Sequence, residues 1–311
     1  MELLPVWVEG LSPELVKRAR DDLGETPEIQ AEALLELRKM INDDPDFICP
    51  ENDTFLIRFL RVKKYNAKKT FKTLRNYYEF KRKDPGLMTD KVKKIIDLGH
   101  MLVSPLRALD GGLVANFQVG TLDFGKFSLE EYFSAAILCC EQYAEIEANQ
   151  VCGNHIIVDY KGVSLKKIIN MASPSFLTQI VQGLEDCWPH RINSFTIVNE
   201  PFYFNLLFNV IWPMFSKKMK ERISLVGSNL SILHKKFPKE CLPEKLGGFL
   251  GQEAHIEFRD KTIANQLEIE RLKKYSFHRT QKPVKKLSSC GLEENTNFTQ
   301  NNSTTVSNVV I

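Results

Sequence analysis

"INSFTIVNEPFYFNLLFNVIWPMFSKKMKER", residues 192 to 222, passes through three compositions in succession. It opens as a short run of β-propensity, Ile192 to Val198, closed by the turn-forming Asn199-Glu200-Pro201. From Pro201 to Phe215 nearly every position is apolar or aromatic, broken by Asn205, Asn209 and Pro213. Lys217, Lys218, Lys220 and Arg222 then follow at once. On a helical wheel the two asparagines share one narrow stripe, and apolar side chains cover most of the rest. Such a helix is either buried on all sides or has one apolar face for an enclosed ligand, another for a bilayer surface, and a basic patch for anionic head groups. Phe208 is expected on the outward side.

The same strand-then-helix alternation extends upstream. "GGLVANFQVG" and "NHIIVDYKG" are β-prone runs bounded by glycine, each followed by a helix-length amphipathic segment. Repeated alternation of this kind predicts an α/β core with parallel strands. Ser128 and Glu131 form a capping box, which opens a helix carrying Phe133, Ile137, Cys140 and Ala144 at helical spacing. Ser173-Pro174 starts another, with Phe176, Ile180, Val181 and Leu184 on one side.

Before about residue 100 helix signals dominate. Ser12 and Thr26 each precede a proline at the first helical position, where its missing N–H costs nothing. Further helices are expected near Phe55–Arg61 and from Ala67 to Arg82, stopped by Asp84-Pro85-Gly86. Charge is uneven here. Fourteen acidic and five basic residues precede Thr54, whereas Arg58 to Lys83 holds eleven basic residues and one acid, Glu79. Helix faces that attract one another explain such a split, and Lys68, Lys69, Lys72 and Arg75 read as an exposed face.

Composition narrows the function classes. A chain of 311 residues with a formal net charge of +3 offers no global field for nucleic acid. The seven cysteines contain no CxxC, and the six histidines have no metal-ligand spacing, so no metal or cofactor is expected. "MELLPVWVEG" lacks a cationic n-region and an apolar run long enough for a signal peptide. No apolar stretch reaches the ~20 residues that span a bilayer. A cytoplasmic protein with transient membrane contact is the expectation. Glycine-rich phosphate loops, GxSxG and HExxH are all missing, so no enzymatic activity is assigned. Asp159, ending a strand, could serve as an acid, but an acid there more often ties down a loop.

Several blocks together carry a family resemblance. "FLIRFLRVKKYNAKKT" resembles the "LLRFLRARKF" signature of the helical domain that precedes a CRAL-TRIO lipid-binding domain, and "IIVDYKG" resembles that family's central strand and turn. "CWPHRINSFTIVNEPFYFNLLFNVIWPMFSKKMKERISLVG" is similar to its block running from a cavity strand into a mobile lid helix, and "LPEKLGG" to its closing "LPxEYGG". "NEP" and "KERI" bring the chain nearest to the tocopherol-transfer and retinaldehyde-binding branch.

The resemblance implies a helical domain over residues 10–90, an α/β lipid-binding domain over 91–262, and an extension over 263–311, disordered after about 280. It implies transfer of a tocopherol- or retinoid-like ligand from a lidded cavity. The cavity wall carries over to Phe133, Cys140, Val158, Leu165, Ile180, Leu184, Ile192 and Phe195, with lid contacts from Phe202, Leu206 and Val210. A phosphatidylinositol bisphosphate head group falls to Arg191, Lys218 and Arg222, with Lys217 and His190 close enough to compensate for Asn193, where the family has a fourth basic residue. Val163, Cys140 and His190 also depart from the tocopherol branch, which expects bulkier, hydroxylic and aliphatic residues there. A phospholipid exchanger, or a phosphoinositide-dependent sensor or scaffold, is the alternative.

Overall fold

Helix caps at the amino-terminal end form as the sequence dictates. In the computed structural model, which describes residues 3–83, 88–266 and 275–277, the Ser12 and Thr26 hydroxyls accept hydrogen bonds from Leu15 N and Ile29 N. They open α1 (Pro13–Leu23) and α2 (Pro27–Asn42). Asn52 caps α3 (Asp53–Val62), which is followed by α4 (Ala67–Lys83) and α5 (Asp90–Asp97). Leu37, Leu56, Phe59, Leu60, Leu74 and Tyr77 form the core between α2, α3 and α4, which extends to Ile137, Cys187 and Trp188. The short β1 (Phe47–Ile48) pairs with β7 (Ser276–Phe277) against this layer.

The charge split resolves into ion pairs between α3 and α4 and the turns on either side of α2. Arg61 is clasped by the Glu25 carboxylate at 2.8 and 2.9 Å, and Arg75 meets Asp44 at 2.6 Å. Lys68, Lys69, Lys72 and Arg75 lie exposed on α4.

The three expected strands are β3 (Leu113–Gln118), β4 (Asn154–Asp159) and β5 (Ile192–Val198), parallel in that order. Two short strands flank them: β2 (Met101–Val103), antiparallel to β3, and β6 (Ile223–Leu225), parallel to β5. Asp159 ties its loop as expected, accepting from Lys161 N at 2.9 Å and Asn199 Nδ2 at 2.8 Å. Gly162 takes φ +84°, a left-handed conformation that a side chain would strain.

Helices α6 (Leu129–Ala144) and α7 (Glu147–Cys152) connect β3 to β4, and α8 (Leu165–Met171) and α9 (Pro174–Gln182) connect β4 to β5. The Ser128–Glu131 capping box is complete. Between β5 and β6 lie a tight turn over Phe202–Phe204, α10 (Asn205–Ile211), a second tight turn over Trp212–Met214, and α11 (Lys217–Lys220). These turns and α10 are the lid segment. Then come α12 (Ser231–Lys236) and α13 (Ile256–Ala264).

Strand side chains alternate between faces. Val114, Ile157 and Val198 meet Leu233, Phe237, Leu242 and Leu246 on one face. Ala115, Phe117, Ile156, Val158 and Ile197 point to the other, beneath α6, α8, α9 and the lid. The helical layer is bolted to this second half through Glu141 of α6, which is 1% exposed and bonded to Lys81 Nζ at 2.7 Å and Tyr77 Oη at 2.6 Å. The expected helix stop at residues 84–86 and the expected disordered tail lie outside the described residues.

Candidate ligand cavity and adjoining basic pocket

Between the second sheet face and the lid is a cavity of about 200 Å³ with an almost wholly apolar wall. Val158, Ile192 and Phe195 line it from the sheet, Phe133 and Cys140 from α6, and Ile180 and Leu184 from α9 and the turn after it, as the sequence reading placed them. From the lid come Phe204, Leu207, Phe208, Ile211 and Phe215.

The lid is rotated relative to expectation. Phe202 (88% exposed), Leu206 (57%) and Val210 (50%) face solvent, as does Leu165 on α8, and none of the four lines the cavity. Phe208, expected outside, is half-buried and lines the cavity, its ring tilted against Phe204 at 5.9 Å and Trp212 at 4.9 Å. Both faces of this helix are apolar, so composition could not tell inner from outer. The polar stripe of Asn205 and Asn209 marks part of the exposed side.

Two bonds hold the lid ends. Tyr203 Oη donates to Val163 O at 2.5 Å, and Ser216 N donates to Glu185 Oε1 at 2.6 Å.

Glu185 and Ser216 also belong to a second, basic pocket of about 620 Å³ that shares Leu184, His190 and Ile192 with the apolar cavity. Arg191, Lys218 and Arg222, to which the resemblance assigns a head group, all line it. Lys63 and Lys64, from the turn after α3, join them. Sequence reading missed this pair because the lysines lie more than 120 residues from the other cations, although both sit inside the quoted "FLRVKKYN". Lys217 falls outside the pocket wall.

Electrostatics distinguish these groups. The Lys218 ammonium is pushed below its ordinary pKa by desolvation, then by repulsion from Arg222, Lys63, Lys64 and Arg191. Desolvation also lowers Arg191 and Arg222. Crowded, partly desolvated cations of this kind attract a polyanion. Arg191 Nη1 donates to Val151 O, and Asn193 Nδ2 to Cys152 O at 2.8 Å, so the departure at 193 is committed to backbone. Burial drives His190 down to a pKa of about 3, and a neutral imidazole adds no charge for an anion. That corrects the compensating role read for it.

Enzyme-like geometry occurs away from the cavity. Ser194 Oγ lies 2.8 Å from His155 Nδ1, and the Asp110 carboxylate lies 2.9 and 3.0 Å from Nε2. Ser194 is 4% exposed, on the sheet face opposite the cavity, and neither it nor His155 lines either pocket. The array ties β4 and β5 to the turn before β3. Among the described residues no group of three His, Cys, Asp or Glu side chains could hold a metal, and no helix is long and apolar enough to cross a membrane.

Comparison with known proteins assigns the chain to a family. Residues 105–248 match the CRAL/TRIO domain family. Alpha-tocopherol transfer protein-like of Homo sapiens is 32% identical over 253 residues, covering 80% of this chain and 74% of that protein. Clavesin-2 of Homo sapiens is 31% identical over 255 residues, covering 78% and 76%. Among solved structures, that of Sfh5 is similar with a TM-score of 0.47 at 12% identity, covering 83% of this chain and 100% of that one. A helical amino-terminal layer, a largely parallel sheet and relatives at this identity make the chain a member of the CRAL/TRIO domain family.

Proposed function

We propose that this member of a lipid-binding and lipid-transfer family carries a small hydrophobic ligand of the tocopherol or retinoid class beneath its lid and exchanges it at phosphoinositide-containing membranes. The observation that carries the reading is a lid apolar on both faces beside a cationic pocket. Phe204, Leu207, Phe208 and Ile211 face the cavity; Phe202, Leu206, Val210 and Met214 face outward, next to Leu165 and Ile169 of the neighbouring α8. A bilayer suits that outer surface. Full burial of such side chains stabilises by about 1.5–3 kcal/mol each, and shallow insertion by less, so attachment is reversible and needs a second attraction.

The basic pocket supplies that attraction for an inositol lipid phosphate. It also supplies a trigger. Phosphates among Lys63, Lys64, Arg191, Lys218 and Arg222 repel the Glu185 carboxylate that holds Ser216 N, and so favour release of the lid at the membrane that bears them.

The test follows a fluorescent tocopherol from neutral donor vesicles to acceptors with and without phosphatidylinositol bisphosphate, at catalytic protein concentration. Acceleration that rises with the inositol lipid is expected, and Lys218→Ala with Arg222→Ala should remove the rise while ligand affinity stays intact. Unchanged transfer by that double variant rejects the assigned role of the pocket. The three wall residues shared by the two pockets favour one second reading, a phospholipid with its head group in the basic pocket and a chain in the cavity. Extraction of the purified protein would then return phospholipid.

A further inference from the structure

Ser216 supplies the hydroxyl in the wall of the basic pocket, whose charged members among the described residues are five Lys and Arg side chains and the Glu185 carboxylate. The residue is exposed, at the hinge between the tight turn over Trp212–Met214 and α11. Its neighbours on this wall are short of negative charge: the charges that shift Lys218 are those of Arg222, Lys63, Lys64 and Arg191, all positive.

The local sequence and backbone make the hydroxyl a substrate. In Phe215-Ser216-Lys217-Lys218-Met219-Lys220, basic residues stand one, two and four positions after it, the pattern that complements an acidic substrate groove. Phe215 (φ −79°, ψ 143°) and Ser216 (φ −62°, ψ 158°) are already extended. The four residues of α11 that follow are too few to hold a helix by themselves, so a single turn has to open for the segment to enter such a groove.

Resting on the reading of the basic pocket as a head-group site, we propose that Ser216 is a phosphorylation site for a kinase that selects basic residues after its serine, and that the phosphoserine fills the pocket from within and shuts out the inositol lipid. In the modifying step Ser216 Oγ bonds to the γ-phosphorus of a nucleoside triphosphate while the bond to the departing diphosphate breaks, and the hydroxyl proton passes to the catalytic aspartate of the kinase. The product carries a charge of about −1.5 to −2 and three acceptor oxygens, on a side chain that shares its wall with Lys218 and Arg222. A phosphate tethered there meets those cations intramolecularly, at an effective concentration that a lipid head group has to outcompete. It also stands beside Ser216 N, which is bonded to the Glu185 carboxylate at 2.6 Å. Two anions at that contact repel, so the modification loosens the lid end while it cancels the attraction to an inositol-lipid membrane.

The experiment incubates the full chain with protein kinase C and ATP, locates the phosphate by tandem mass spectrometry, and measures co-sedimentation with phosphatidylcholine vesicles that contain phosphatidylinositol bisphosphate. Ser216 should take the phosphate, and the modified chain should bind about thirtyfold more weakly, equivalent to ~2 kcal/mol, because the phosphate cancels about two of the cations. Ser216→Ala should escape both the label and the effect of the kinase. Phosphatase treatment should restore binding, which separates a charge effect from misfolding. No label on Ser216, undiminished binding by the labelled chain, or a loss that phosphatase does not reverse each overturns the proposal while leaving the pocket reading in place. An unmodified chain that ignores the inositol lipid overturns the pocket reading itself, and this inference with it.

Discussion

Glu185→Gln is the most direct test of the proposed coupling between the basic pocket and the lid. The Glu185 carboxylate is the acid in a wall that otherwise presents Lys63, Lys64, Arg191, Lys218 and Arg222, and its Oε1 accepts the Ser216 N–H at 2.6 Å. Ser216 is itself the N-cap of α11, accepting from Met219 N at 3.2 Å, so this bond anchors the hinge where the lid ends. A hydrogen bond to a charged group contributes about 1.5–3 kcal/mol; half-exposure and solvent screening reduce that to ~1 kcal/mol. An amide still accepts a weaker bond. The closed state should therefore lose ~1 kcal/mol, a shift of about fivefold in the open-to-closed ratio. Removing the negative charge also lets phosphates enter without repulsion. In the vesicle assay the variant should transfer about fivefold faster to neutral acceptors, bind inositol-lipid vesicles more tightly, and respond less to the inositol lipid because the latch is already loosened. Denaturant unfolding should lose no more than that ~1 kcal/mol. Basal transfer and stimulation both equal to wild type would refute the idea that Glu185 links the two pockets.

Three further outcomes follow from other parts of the molecule. Phe202→Asp with Leu206→Asp should reduce association with vesicles in co-sedimentation while shifting stability by less than ~0.5 kcal/mol, since both side chains are exposed; a large loss of stability would place them in the core. Glu141→Ala leaves Lys81 buried without its partner and should cost about 3–5 kcal/mol in denaturant unfolding, with a loss under 1 kcal/mol contradicting the bolt between α4 and α6. The Asp110 carboxyl, held at about 2 chiefly by its hydrogen bond to His155 against the opposing effect of desolvation, has a folded pKa below the ordinary 3.8. Its contribution is complete above the ordinary value and disappears as pH falls through the folded one, so the stability gap between wild type and Asp110→Asn should close between about pH 4 and 2 in acid unfolding.

How far the sequence carries depends on which property a residue's role rests on. Ser12, Thr26 and Ser128 were legible because a cap is a local event, decided by a hydroxyl and the three residues after it. The strands around Phe117, Val158 and Phe195 were legible because runs of β-branched and aromatic residues closed by glycine or a turn survive without knowledge of neighbours. β2 and β6, each three residues long, carry too few positions to show a period and exist because β3 and β5 offer them an edge. Lys63 and Lys64 were missed for a different reason: their meeting with Lys218 and Arg222 is set by how the helical layer docks on the sheet, which no local pattern encodes.

The lid shows where composition reaches its limit and why that limit bears on function. A helix whose two faces are both apolar gives no moment from which to read orientation, so composition offered no check on the inward placing of Phe202, Leu206 and Val210 that the family resemblance implies or on the outward placing of Phe208, each the reverse of the packing. That ambiguity is a physical property of the lid itself. In water, Phe204, Leu207, Phe208 and Ile211 bury against the sheet while the outer residues stay exposed, and a bilayer can take either set. The difference in solvation that favours the closed lid in water therefore shrinks at a membrane, leaving the bonds from Tyr203 and Ser216 to decide. A lid with a polar outer face would lose that sensitivity. Replacing Leu206, Val210 and Met214 together by Gln should thus leave ligand binding in water unchanged yet slow transfer even to acceptors rich in inositol lipid, because the pocket would still recruit the protein to a surface that no longer favours opening; transfer at the wild-type rate would show that the outer face plays no part in release.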